Sequence, residues 1–307
     1  NGSENIFIGY RGENNNDENT QSIQKTICIG PLAGLSLENG AINNTLIGHN
    51  SGKGVSTGMN NTFIGYTSGC EVTKGSDNTC IGNQSGHSID EGNKNTFIGS
   101  YSGSHIKGNN NVFIGNQHSG EENDDILDNI YRTTSIGSYA GFELNGSGGK
   151  GVDNTFIGYK CGYNSINISH NTFLGSKAGF NNREGEQNIY LGYNSGYNNN
   201  GSDNVFIGYG GENNNDDNPQ LIQKTICIGS LTGSTLKDSA TNNTFIGHSN
   251  AKVVTTGKNN TFIGNESGSI INIEDRPGCR CSNLSVGLSI ISIFRTEIAS
   301  FNFPLAS

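Results

Sequence analysis

Residues 60–69 read Asn60-Asn61-Thr62-Phe63-Ile64-Gly65-Tyr66-Thr67-Ser68-Gly69, and the same pattern returns along almost the whole chain. The glycines that anchor it are Gly9, Gly30, Gly48, Gly65, Gly82, Gly99, Gly115, Gly137, Gly158, Gly175, Gly192, Gly208, Gly229, Gly247 and Gly264. They follow one another at 21, 18, 17, 17, 17, 16, 22, 21, 17, 17, 16, 21, 18 and 17 residues. A base period of 17 is too short for a domain array. It is the signature of a solenoid with one coil per repeat.

Each column has a physical reading. The residue before the anchor is always Ile or Leu: Ile8, Ile29, Ile47, Ile64, Ile81, Ile98, Ile114, Ile136, Ile157, Leu174, Leu191, Ile207, Ile228, Ile246 and Ile263. A slot restricted to branched aliphatics predicts a buried core ladder. Three before the anchor stands Thr, Ile or Val, as strand propensity favours, and it shares a face with the Ile column because side chains alternate.

The residue between them points the other way. It is aromatic at Phe7, Phe63, Phe97, Phe113, Phe156, Phe173, Tyr190, Phe206, Phe245 and Phe262, and is otherwise Cys28, Leu46, Cys80, Ser135 or Cys227. Such an aromatic packing ladder is not left in water. Either the coil has two cores, or this face packs against another chain.

Asn stands four before most anchors, as at Asn44, Asn61 and Asn78, where it can bond its own backbone or stack its amide on the next coil. The anchor and the Gly four residues later suit bends with positive φ. The expected fold is all-β, a parallel β-solenoid of about fifteen coils over residues 1–268, with a C-terminal cap or subunit-contact segment at 269–307.

A longer period lies over the short one. GENNNDENTQSIQKTICIG from Gly12 matches GENNNDDNPQLIQKTICIG from Gly211, an offset of 199, and even the long 21-residue coil is copied. The copy suggests a piece of a longer array in which length is the product.

The Asn-Thr-Phe-Ile-Gly-x-x-Ser pattern resembles the head repeats of trimeric autotransporter adhesins and the NTAIGY-type repeats of phage tail fibres, over residues 1–268. The resemblance implies a left-handed parallel β-roll, three chains side by side, that binds host surfaces. This chain departs from it in longer coils and in Phe for the small central residue.

Composition excludes several classes. Net charge is −9 and the 18 Lys and Arg are scattered singly, so there is no basic patch for nucleic acid. No apolar run is long enough for membrane insertion. No catalytic constellation emerges among the six histidines and the carboxylates, so an enzyme is not expected.

The acid-rich returns at 14–19, 121–129 and 213–218 offer Asp17, Asp124, Asp125, Asp216 and Asp217 as calcium ligands, against the plainer reading of solvated loops. Calcium apart, no cofactor is expected. N-glycosylation sequons fall at Asn1, Asn43, Asn60, Asn83, Asn145, Asn167, Asn200, Asn242, Asn259, Asn265 and Asn283. Of the seven cysteines, Cys28, Cys80 and Cys227 read as small buried hydrophobes, Cys161 fills the small corner slot and Cys70 lies in a return. Cys279 and Cys281 stand outside the repeat and could cross-link chains.

These features lead to a structural subunit of an extracellular fibre or filament on a cell or virion surface, with other copies of itself as partners. An adhesin or receptor-binding fibre recognising a surface glycan or protein is one alternative. An ice-binding solenoid, suggested by Thr45, Thr62, Thr79 and Thr96 in register, is the other. It ranks last because that column shares the Ile face and is expected inside.

Overall fold

The computed structural model describes residues 2–10, 22–118, 130–144, 151–210, 220–237, 239–252, 254–268 and, by its backbone, 284–287. The strands are β1 (Ile6–Ile8), β2 (Ile27–Ile29), β3 (Thr45–Ile47), β4 (Thr62–Ile64), β5 (Thr79–Ile81), β6 (Thr96–Ile98), β7 (Val112–Ile114) and β8 (Thr134–Ile136). They continue with β9 (Thr155–Ile157), β10 (Thr172–Leu174), β11 (Ile189–Leu191), β12 (Val205–Ile207), β13 (Ile226–Ile228), β14 (Thr244–Ile246), β15 (Thr261–Gly264) and β16 (Leu284–Gly287). All lie in one sheet in sequence order. Every neighbouring pair is parallel and in register, as in Thr62↔Thr79, Phe63↔Cys80, Ile64↔Ile81. This is the β-solenoid that the spacing predicts. The ladder runs past residue 268, because β16 pairs in parallel with β15.

The inside and outside of the strand are the reverse of the expectation. The central slot is the core: Phe63, Phe97, Phe156, Phe173, Tyr190, Phe206, Phe245 and Phe262 are all 0% exposed, and the non-aromatic occupants Cys28, Leu46, Cys80, Ser135 and Cys227 are equally buried. The Ile ladder faces out. Residues such as Ile47, Ile64, Ile81, Ile98, Ile114, Ile136, Ile157, Ile207 and Ile246 are half-buried, while Ile8 is 58% and Leu174 42% exposed. A three-residue strand turns one side chain to one face and two to the other. Here the return closes over the single one. The turn glycine at position 69 lies on the Phe63 ring with φ +58, and a Cβ there would collide with the ring.

The rings stack along the rod, with centroids 5.2 Å apart at Phe156–Phe173, 4.7 Å at Phe173–Tyr190 and 5.2 Å at Tyr190–Phe206. Burying each ring is worth about 1.5–3 kcal/mol, and each ring pair adds about 0.5–1.5 kcal/mol.

A second core column completes the interior. Seven residues after the anchor stand Leu37, Val55, Val72, Ile89, Ile106, Leu144, Leu236 and Val254, all buried.

The Asn and Ser columns inside are bonded coil to coil. Asn44 Oδ1 accepts from the Asn61 N–H at 3.0 Å, and Asn44 Nδ2 donates to the Gly58 carbonyl at 2.9 Å. The next rung repeats this at 3.0 and 2.8 Å. The amide therefore serves the following coil. At the turn, Ser51, Ser68, Ser85 and Ser102 donate to the carbonyls of Phe63, Cys80, Phe97 and Phe113 at 2.8–2.9 Å. Buried backbone groups that the short strands leave over are thus paired.

Candidate functional site

With the Phe column inside, the outer face of the sheet is built from the residues on either side of it. Strands β1–β15 present two outward residues each. One column is Ile or Leu throughout; the other is Thr45, Thr62, Thr79, Thr96, Thr134, Thr155, Thr172, Thr244 and Thr261, with Ile or Val at the remaining rungs. None of these side chains is charged, although 15% of the chain is. The in-register parallel pairing sets each side chain directly beside its counterpart on the next rung, about 4.8 Å away.

The exposure is real. Ile189 is 45%, Leu191 38%, Ile226 37% and Ile263 38% exposed. Two residues further along, a third outward column carries Tyr66 (52%), Tyr159 (48%), Tyr193 (45%) and Tyr209 (53%). His49 stacks on Tyr66 at 5.3 Å and Tyr193 on Tyr209 at 5.5 Å. The columns together form an uncharged strip along strands β1–β15, with exposed aliphatic and aromatic side chains set rung beside rung.

The other sequence candidates are placed as follows. Asn43, Asn60, Asn242 and Asn259 are exposed, each with φ between 57° and 59°, on the column five before the anchor. Asn43 Nδ2 donates to Asn60 Oδ1, and Asn60 Nδ2 to Asp77 Oδ1, both at 3.0 Å. Asn83 and Asn265 are exposed in the third outward column, while Asn167 and Asn200 are half-buried. Asn1, Asn145 and Asn283 lie outside the described residues, as do Asp17, Asp124, Asp125, Asp216, Asp217, Cys279 and Cys281. Among the described residues no three His, Cys, Asp or Glu side chains come close enough to hold a metal ion.

Cys28, Cys80 and Cys227 lie in the core, and burial pushes the Cys80 thiol far up. Cys161 occupies the Ser slot, donates to the Phe173 carbonyl at 3.2 Å, and is pushed up to about 12 by burial. Thiols held protonated in this way are poor nucleophiles. On the exposed edge Arg132 binds Asp153 through two bonds of 2.6 and 2.9 Å, and this pairing holds the Asp153 carboxyl below its usual range.

The site that the structure brings together is therefore the outer sheet face, which sequence reasoning had placed inside. The Thr residues in it were the available signal. A hydroxyl buried among aliphatics needs a partner at every rung, and an outward Thr does not. No family model, no curated protein and no solved structure matches the chain.

Proposed function

We propose that the chain is a non-enzymatic structural subunit of an extracellular fibre, on a cell or virion surface, in which rods associate side by side through the Thr/Ile face. The observation that carries this reading is the uncharged outer face repeated over β1–β15. An exposed parallel sheet face with aliphatic columns favours burial against a like surface. The 199-residue internal copy supports a role in which length matters. Sedimentation velocity tests it. The wild-type chain is expected at a multiple of its 32.5 kDa mass, and Ile64→Lys with Ile81→Lys is expected at one chain mass. A wild-type monomer at high concentration overturns the reading.

One observation favours a second reading. The Thr column faces out, which removes the reason for ranking an ice-binding surface last. Thr45, Thr62, Thr79 and Thr96 stand on four successive rungs beside Ile47, Ile64, Ile81 and Ile98. Thermal hysteresis in a monomeric sample, abolished by Thr79→Lys, would favour this reading over the fibre.

A further inference from the structure

The returns after β5 and β6 bring two imidazoles together, away from the outer sheet face. Gly82 anchors the first of these coils and Gly99 the second. Five and six residues after Gly82 stand His87 and Ser88; five and six after Gly99 stand Ser104 and His105. The order is reversed from one coil to the next. Stacked in register, the four residues make a square with His on one diagonal and Ser on the other. The His105 N–H donates to the His87 carbonyl at 2.7 Å, which holds the two returns together. The ring centroids are 5.8 Å apart and the ring planes are tilted by 55°.

Each ring is held through the same atom. His87 Nδ1 lies 2.8 Å from Ser88 Oγ, and His105 Nδ1 lies 2.9 Å from Ser104 Oγ. The Ser88 hydroxyl also donates to Glu71 Oε2, on the coil before, at 2.6 Å. A hydroxyl carries one proton. With that proton on the carboxylate, Ser88 Oγ accepts from His87, so Nδ1 bears the hydrogen and Nε2 keeps its lone pair. A carboxylate-anchored partner on one ring nitrogen is the support that orients a histidine to bind metal through the other. Buried Ser104 can serve His105 in the same sense. His49, by contrast, is held by stacking on Tyr66.

The spacing also fits. An imidazole nitrogen binds zinc at about 2.0–2.1 Å, which sets each ring centroid about 3.2 Å from the ion. Two such rings at a tetrahedral angle have centroids about 5.2 Å apart. The observed 5.8 Å is a small side-chain adjustment away.

We infer that His87 and His105 bind one divalent ion of the zinc, copper and nickel group through their Nε2 atoms, with Ser88, Ser104 and Glu71 as positioning residues. Imidazole ligands suit these metals. No third His, Cys, Asp or Glu among the described residues joins the pair, so water fills the remaining positions and the ion is exchangeable. The ion clips the return after β5 to the return after β6. The site uses no residue of the Thr/Ile face and stands whether or not rods associate.

Calorimetric titration of the untagged chain with Zn²⁺ tests it. The wild type is expected to bind Zn²⁺ saturably and to melt at a higher temperature with the ion present, because the ion binds the folded coils. His105→Asn is expected to abolish this binding with circular dichroism unchanged, since the ring is half-buried and Asn suits the local φ of 65°. Glu71→Ala leaves both imidazoles in place and is expected to weaken binding about tenfold, while Glu71→Gln, which keeps an acceptor oxygen for Ser88, is expected to restore most of it. His49→Asn is expected to bind as the wild type does. No saturable Zn²⁺ binding in the wild type, full binding in His105→Asn, or equal affinity in Glu71→Ala and the wild type overturns the assignment.

Discussion

The coils from β3 to β6 and those from β7 to β11 share one backbone and fill it differently. In the first stretch every turn slot is Ser51, Ser68, Ser85 or Ser102, and every second core slot is Val55, Val72, Ile89 or Ile106. In the second the turn slot holds His118, Ala140, Cys161 and Ala178 before Ser returns at Ser195, the strand slot once holds Ser135, and the second core slot turns polar at Ser165, Asn182 and Asn199. The apolar material moves outward there, into a stack of Phe142, Tyr163, Phe180 and Tyr197 with centroids 4.8–5.0 Å apart. The polar intruders are bonded only in part: Asn182 Oδ1 accepts from the Gly185 N–H at 2.8 Å, while Asn182 Nδ2, His118 Nε2 and the Ser135 hydroxyl are buried without a hydrogen-bond partner. Asn199 Nδ2 donates to Tyr190 Oη at 2.9 Å, and its Oδ1 accepts from the Ile222 N–H at 3.1 Å. The rung of strand, Asn and glycine defines the solenoid. The return tolerates exchange of apolar for polar residues even where a few buried polar atoms stay unbonded.

The sharpest way to break this comparison lies within the strand slot itself. Phe173 is stacked on both sides, so Phe173→Ala opens a cavity between two rings. It is expected to cost about 3–5 kcal/mol in chemical denaturation. Ser135 occupies the same slot, and its buried hydroxyl has no hydrogen-bond partner. Ser135→Ala is expected to be neutral or stabilising, because it removes a desolvated polar atom. Equal costs at the two positions would mean that the central column is not the main support of the rod.

His118 tests the turn slot. It is 1% exposed and lies on Phe113 with centroids 5.5 Å apart. Burial drives its pKa down to about 4 from the ordinary 6.5, with a backbone hydrogen bond involving Gly137 opposing. The folded chain thus stays unprotonated where the unfolded chain takes up a proton. Stability is at its full value above pH 6.5, falls as the pH drops through the window from 6.5 to about 4, and loses nothing further from this group below that. The loss is expected to total about 3 kcal/mol at a slope of up to about 1.4 kcal/mol per pH unit. His118→Ser restores the residue of the regular stretch and is expected to remove that slope. A wild-type profile flat between pH 4 and 6.5 contradicts the buried neutral imidazole.

Much of the fold is legible in the spacing alone. The three residues before each anchor glycine from Gly9 to Gly264 fall within strands β1–β15, and the parallel order follows from one coil per repeat. Which face closes inward is not legible from alternation. A strand of three separates one column from two without saying on which side the return lies. The side is decided by the ring filling the coil beneath the turn glycine, a contact across the coil that no local propensity reports. The second core column was visible as Val55, Val72, Ile89 and Ile106 at a constant offset, but it lies among Gly, Ser and Lys and reads as loop. The outer face was legible as a set of columns and illegible as a surface, for the same reason of sidedness.

The Asn ladder gives the finest measure of what the rung demands, because the irregular stretch already contains the substitution. At Thr133 the hydroxyl donates to the Gly151 carbonyl at 3.2 Å and accepts from the Asn154 N–H at 3.5 Å, in place of the shorter bonds of an Asn rung. Asn78 makes those bonds to Gly92 at 2.8 Å and from Asn95 at 3.0 Å. Asn78→Ala leaves the Asn95 N–H and the Gly92 carbonyl buried and unpaired, and is expected to cost about 1–3 kcal/mol. Asn78→Thr keeps both partners at longer range and is expected to cost less than about 1 kcal/mol. Denaturation midpoints of the two variants decide the point. If Thr and Ala cost the same, the amide acts by filling space; if Thr rescues most of the loss, the requirement is for a group that both donates and accepts toward the next coil. That second outcome would explain how Thr26, Thr133 and Thr225, each of which takes up the preceding Asn through its own N–H at 3.0 Å, can stand in the ladder without ending it.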